Sequence, residues 1–327
     1  MRTAGIIRII VGLVIAVLLT AILVVLLTGN NIFSRFGWSN GWIGNIFDRT
    51  VYMSGGVNED TNEIMVSDEA RVSADDINTI KIDWVAGSVN LRVGSGNEIV
   101  FSESSYRSLT DQQRMRYTVS DSGVLQIHFC QDITNIFNWF NEGSNMPAKT
   151  LTLEVPAALI GMLEQVEVET VSADIDASGV YGTKTGLSTV SGKINCADVA
   201  ANDLQLASTS GTIACENSTV YSLNLNNVSG GIRAEGEFTQ VDAETVSGSI
   251  ILALANVPEK IDVDGVSGSI TVVLPQDANF TAKLDSVSGS ISCEFPGTLG
   301  NDKVVVGDGG ATYRFETVSG SLKIEKN

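Results

Sequence analysis

The sequence predicts an all-β fold, a repetitive β-solenoid built as a β-helix-like stack of coils of about 19 residues, preceded by one N-terminal transmembrane helix. Three observations predict it. The tripeptide Val-Ser-Gly, or a one-residue variant, recurs eight times, with its serines at Ser172, Ser191, Ser210, Ser229, Ser247, Ser267, Ser288 and Ser319. Apolar residues alternate on both sides of every copy, and residues 9–27 form an unbroken apolar run.

From the N-terminus, residues 1–8 carry Arg2 and Arg8 and are expected in the cytoplasm. Residues 9–28 have the length and composition of a helix that crosses the hydrocarbon core, and are expected to act as an uncleaved signal anchor. Residues 29–73 are rich in Gly, Asn and Ser with scattered aromatics, and read as a juxtamembrane linker with rings at the lipid interface. The repeat domain is expected over 74–327, outside the membrane.

Within that domain the segment IKIDWVAGSVNLRV reads as a first, degenerate coil. Strand-like EIVFSES, RYTVSDSGVLQIHF and TLTLEV follow, interrupted after Cys130 by an excursion holding Phe137, Trp139 and Phe140. That excursion has two readings, a cap over an exposed end of the stack and a contact loop for a ligand. From Ser210 onward, apolar residues sit six and four places before each serine, and from Ser172 onward they sit three and five places after it. The period of two sends each set to one face of a strand, while the Ser-Gly breaks the phase. The pairs Ser191–Gly192, Ser210–Gly211, Ser229–Gly230, Ser247–Gly248, Ser267–Gly268 and Ser288–Gly289 are therefore expected to be structural turns, with Ala173 the one exception in the glycine column. Stacking coils in chain order turns each position into a column, with isoleucines three places after the serines lining the core. The 31-residue gap between Ser288 and Ser319 implies an inserted loop.

The chain has 20 Lys and Arg against 38 Asp and Glu, a net charge of −18. This excess argues against nucleic acid as a partner, because phosphate binding needs a basic face. Of the four cysteines, Cys196, Cys215 and Cys293 share one inward column. Cys196 and Cys215 are expected to be vertical neighbours, and whether they are bridged is left open.

Chemistry is sought and largely not found. The single histidine, His128, lies far from every repeat serine in sequence, and the sequence lacks a P-loop, dinucleotide fingerprint, zinc helix and GxSxG elbow. No catalytic residue, metal ligand set or cofactor site is assigned, and the chain is not read as an enzyme. Carboxylates three places before the serines in successive coils, Glu244, Asp264 and Asp285, predict an outward acidic ladder. A solvated face is the plain reading of that ladder, and bridging by a cation such as calcium the sharper one.

An early I-x-I-x-x-x-x-G-x-V coil (80–89), an L-x-L-x-V-P strand (151–156) and serial V-S-G-S-I coils behind an N-terminal anchor resemble the bacterial putative-adhesin family of β-strand repeat proteins. The resemblance covers about 74–327. It implies a β-repeat domain on the outside of a bacterial cell and supplies no catalytic residues to carry over. The expected function is a non-enzymatic, adhesin-like, membrane-anchored module that presents a binding face to cell-wall polymer or an envelope protein, with the lipid bilayer engaged through the N-terminal helix. The alternatives are an accessory of envelope-stress sensing that works through a membrane partner, self-assembly through open solenoid ends, and a polysaccharide-active β-helix enzyme.

Overall fold

The computed structural model describes residues 63–131, 147–300 and 302–327. The expected cytoplasmic N-terminus, membrane helix and most of the linker lie outside the described residues, as do Phe137, Trp139 and Phe140. Among the described residues every regular element is a β-strand, and no helix is long and apolar enough to cross a membrane.

The strands are β1 (Ile64–Met65), β2 (Glu69–Ser73), β3 (Thr79–Gly94), β4 (Glu98–Ser105), β5 (Arg116–Val119), β6 (Val124–His128), β7 (Lys149–Pro156) and β8 (Gln165–Ser178). Next come β9 (Lys184–Thr189), β10 (Ile194–Ala197), β11 (Ala200–Ser208), β12 (Ile213–Ser229), β13 (Ile232–Ser247), β14 (Ile250–Leu254), β15 (Lys260–Ser267) and β16 (Ile270–Leu274). The last are β17 (Phe280–Ser288), β18 (Ile291–Cys293), β19 (Gly297–Leu299), β20 (Lys303–Val306), β21 (Ala311–Ser319) and β22 (Leu322–Lys326). Strands thus begin at Ile64, ahead of the start expected at residue 74. Val66 is buried and its N–H donates to the Met115 carbonyl at 3.1 Å, while β2 pairs antiparallel with β4.

The strands divide into two parallel ladders joined at the Ser-Gly corners. The first holds the segments that run into each corner: β6, the start of β3, the start of β8, β9, β11, the end of β12, the end of β13, β15, β21 and β17. The second holds the segments that leave it: β7, the end of β3, the end of β8, β10, the starts of β12 and β13, then β14, β16, β22 and β18. Antiparallel strands finish the stack. On the first ladder β5 and β1 follow β6, and β20 and β19 follow β17. On the second, β4 and β2 follow β7. The outermost strands β1, β2, β18 and β19 have two to five residues, which limits the unpaired edge they offer.

The expected isoleucine column is the core of the second ladder. Val89, Ile175, Ile194, Ile213, Ile232, Ile250, Ile270 and Leu322 are all buried, and Ile291, on the outermost strand, is the most exposed of the column at 9%. Burying each such side chain contributes about 1.5–3 kcal/mol relative to leaving it in water.

Stack order, in contrast, is not chain order. The coil β21–β22 lies between β15–β16 and β17–β18, with Ser319 opposite both Ser267 and Ser288. Likewise β3 lies between β8 and a coil made of β6 and β7, so a coil is intercalated near each end of the stack.

The corners explain the glycine column. A Cβ on Gly211 would stand 1.7 Å from the Gly192 carbonyl oxygen, and one on Gly248 or Gly268 would stand 1.8 Å from the corner carbonyl of the coil before it. Close backbone approach between coils therefore excludes any side chain. Ala173 is tolerated where β8 runs unbroken through its corner.

Two kinds of corner share this packing. At Gly192 and Gly211 the glycine N–H donates to a hydroxyl two places before the serine, Thr189 Oγ1 at 2.9 Å and Ser208 Oγ at 2.8 Å. At Gly230, Gly248 and Gly268 the backbone has φ of 136°, 157° and 135°, and the N–H donates instead to the next coil, at Ser247, Ser267 and Ser319.

Candidate functional site

Three of the repeat serines bond the neighbouring coil. Ser172, Ser191 and Ser210 donate from Oγ to the Val85, Val171 and Val190 carbonyls of the preceding coil at 3.1, 3.4 and 3.3 Å. Each of those three donations crosses one coil step. The column two places earlier carries more of the corner. Thr170, Thr189, Ser208, Asn227, Thr245 and Thr317 are buried polar residues, and Asn227 Nδ2 donates to the Gly211 carbonyl at 2.9 Å. Sequence reasoning passed over this column, although its run of small polar residues, broken only by Gly265, was a usable signal. Where the corner changes type, a hydroxyl loses its donor: Thr245 Oγ1 is buried without a hydrogen-bond partner.

The acidic ladder is present in altered order. Glu244 faces Asp264 directly, but Asp264 and Asp285 are not neighbours, because the intercalated β21 places Glu316 between them. Four carboxylates thus run in register across four coils on the outward side of the first ladder. The next two outward columns supply cations to this surface. Lys260 Nζ lies 3.7 Å from Asp242 and 3.4 Å from Asp262, and Arg314 bridges Glu316 at 2.7 Å and Asp262 at 3.9 Å. Crowding by sheet neighbours strips water from the Asp264 carboxylate and raises its pKa to about 6; the charges of Asp262, Glu316 and Glu244 add to the shift and Arg314 opposes it. Among the described residues no three Asp, Glu, His or Cys side chains group so as to hold a metal ion.

Away from that acidic end, the outward positions of the same ladder mix glycine, amide and hydroxyl residues with single charges. One column reads Gly186, Gln205 and Asn224 in register, and the next Lys184, Asp203, Ser222 and Gln240. Tyr221 stands exposed beside them, its hydroxyl 3.5 Å from Gln240 Nε2.

A second cluster, not foreseen, gathers around Lys149 at the start of β7. Lys149 is fully buried, with Nζ 2.7 Å from Glu103 and 2.7 Å from the Gln113 carbonyl, and it donates also to the Phe129 carbonyl. Its ammonium lies over the rings of Phe129 at 4.0 Å and Trp84 at 5.0 Å, and Trp84 Nε1 donates to the Lys149 carbonyl at 3.1 Å. Burial lowers the Lys149 pKa, and Glu103 opposes that shift. With three acceptors and two rings already engaged, this lysine is a pin that ties β7 to β3, β4 and the chain beside β6. The lone histidine is engaged nearby, with His128 Nδ1 3.3 Å from Asp83.

Cys196 and Cys215 face each other in adjacent strands, as expected, and both are free and buried. A hydrogen bond between the two thiols, together with burial, pushes Cys196 well above its usual pKa. Cys293 is also free and only partly buried, because β18 ends its ladder.

These features define a class: an all-β repeat domain of stacked two-strand coils with glycine corners. Residues 77–325 match the Toastrack DUF4097 family, and the chain belongs to it. No curated protein matches the chain. Among solved structures, a putative adhesin from Parabacteroides distasonis is 14% identical, with 82% of this chain and 98% of that one covered at a TM-score of 0.44. A putative adhesin from Bacteroides fragilis is 12% identical, covering 83% and 100% at 0.43. A putative cell adhesion protein from Clostridium sporogenes is 15% identical, covering 79% and 99% at 0.27.

Proposed function

We propose that this protein is a non-enzymatic, adhesin-like binding module, anchored in the cell membrane by residues 9–28 with its repeat domain outside the cell. Its partner is an envelope polymer or surface protein, met by the outward face of the first ladder. The observation that carries this reading is the register of that face. Two like amides, Gln205 and Asn224, stand in register on adjacent coils, about 4.8 Å apart. Amides repeated at one coil step suit a polymeric ligand whose weak unit contacts add up. Its amides and the exposed Tyr221 supply hydrogen bonds and a ring without a basic patch.

The test is retention of the full chain, in detergent, on purified peptidoglycan, teichoic acid and membrane extracts. Retention that Gln205→Arg with Asn224→Arg abolishes, at unchanged melting temperature, supports the reading. Retention that survives the double substitution, or none on any of the three, rejects it.

A further inference from the structure

The intercalated coil has a consequence for association that does not depend on what the outer face binds. Residues 280–293 do not stack on residues 260–274; a two-strand slot separates them, and β21–β22 fills it. Hydrogen bonding occurs on both flanks of both strands, β21 to β15 and β17, and β22 to β16 and β18. The incoming coil brings Tyr313, Phe315, Leu322 and Ile324 into the core, each at most 1% exposed. Tyr313 stacks on Phe280 at 5.6 Å between ring centroids and donates to the Pro258 carbonyl at 3.1 Å. The slot is thus a matched receptor, specified by register on both sides and by two aromatic side chains.

A single connection, residues 307–310, carries the chain from β20 on the far side of β17 back to the slot. It is Gly-Asp-Gly-Gly, with Gly307 and Gly309 at φ of 61° and 85°, a conformation that glycine adopts readily and other residues resist. The flanking coils must stand apart before this coil enters, so until then four strand edges are open.

We propose that the slot is a strand-acceptor site that also takes the 311–326 coil of a second copy of the chain, giving strand-exchanged oligomers. Each copy has one such coil and one such slot, the condition for exchange of an identical element. The contacts in the exchanged form are those within one chain, so only the path of residues 307–310 differs.

The test uses Ser267 and Ser319, which are register partners in adjacent strands. The full chain is made in detergent, with the partly exposed Cys293 replaced by Ser throughout, as Ser267→Cys, as Ser319→Cys and as the double variant, each unfolded, refolded over a range of concentrations and treated with a short bifunctional thiol reagent. The double variant, refolded dilute, is expected to cross-link within one chain, which reports that the coil has seated. A mixture of the two single variants, refolded concentrated, is expected to give a covalent species of twice the chain mass that neither variant gives alone. Intramolecular linkage in the double variant with no such species in the mixture at any concentration overturns the proposal. Absence of linkage in the double variant overturns the seating of the coil and the proposal with it.

Discussion

The ammonium of Lys149 stands 2.7 Å from the Glu103 carboxylate with neither side chain more than 2% exposed. Two charges taken out of water are tolerable together and costly apart. Glu103 Oε1 also accepts the Met115 N–H at 3.0 Å, so the pair joins β4, β7 and the chain beside β5. Lys149→Met should therefore cost about 3–5 kcal/mol, because it strands a buried carboxylate. Lys149→Met with Glu103→Leu should recover a large part of that loss. Denaturant unfolding of the three proteins measures it, and additive losses in the double variant would reject the pairing account.

The glycine column makes a sharper distinction. A Cβ at Gly211 meets a backbone carbonyl at 1.7 Å, which no rotamer change relieves, whereas a Cβ at Gly186 has nothing within 4 Å. Gly211→Ala is expected to lose at least about 1–3 kcal/mol, the range for overpacking. Gly186→Ala should be neutral or gain about 0.4–1 kcal/mol through the unfolded chain. Melting temperatures of the two variants decide it, and equal effects would mean that coil spacing is looser than described.

The serine that marks each repeat should matter less than the residue two places before it. Ser208 is fully buried and accepts the Gly211 N–H, so Ser208→Ala leaves a buried donor unpaired and should cost about 1–3 kcal/mol. Ser210 is exposed, and its hydroxyl bonds the Val190 carbonyl, which already accepts the Ser210 N–H at 3.0 Å. Ser210→Ala should stay within about 0.5 kcal/mol of the parent. Unfolding curves in which Ser210→Ala is the worse of the two would return the hydroxyl role to the repeat serine.

These contrasts show which parts of the fold were readable. Alternation and the Ser-Gly phase break are local, so the corner, the buried isoleucine column and the facing of Cys196 by Cys215 followed from the spacing alone. Stack order is not local. Every coil carries the same register, so any coil can stack on any other, and only the 31-residue gap before Ser319 marked the intercalation of β21. For the same reason Glu244 and Asp264 were placed side by side correctly, while Asp285 was set next to Asp264 when Glu316 lies between them. The Lys149 pin was hidden because its partners, Trp84, Glu103, Gln113 and Phe129, are scattered over two strands and two connections.

Burial and crowding of carboxylates at Asp264 set a pH response. Asp264 has a folded pKa of about 6 against an ordinary 3.8, so between these values the folded chain binds a proton that the unfolded chain has released. The stability this group contributes is complete below about pH 4 and is lost as pH rises through 6. Above that, its charge sits among Glu244, Asp262 and Glu316, with Arg314 offsetting part of the repulsion. Asp264→Asn removes the charge and should leave stability near pH 4 unchanged while raising it at pH 8. Because the side chain reaches solvent, the gain is a screened fraction of the shift, roughly 1 kcal/mol, or about 2–4 °C in melting temperature for a domain of this size. High salt should shrink the difference, since it screens the neighbouring charges. Parent and variant melting curves that stay parallel from pH 4 to 8 would mean that the carboxylate column carries no such strain.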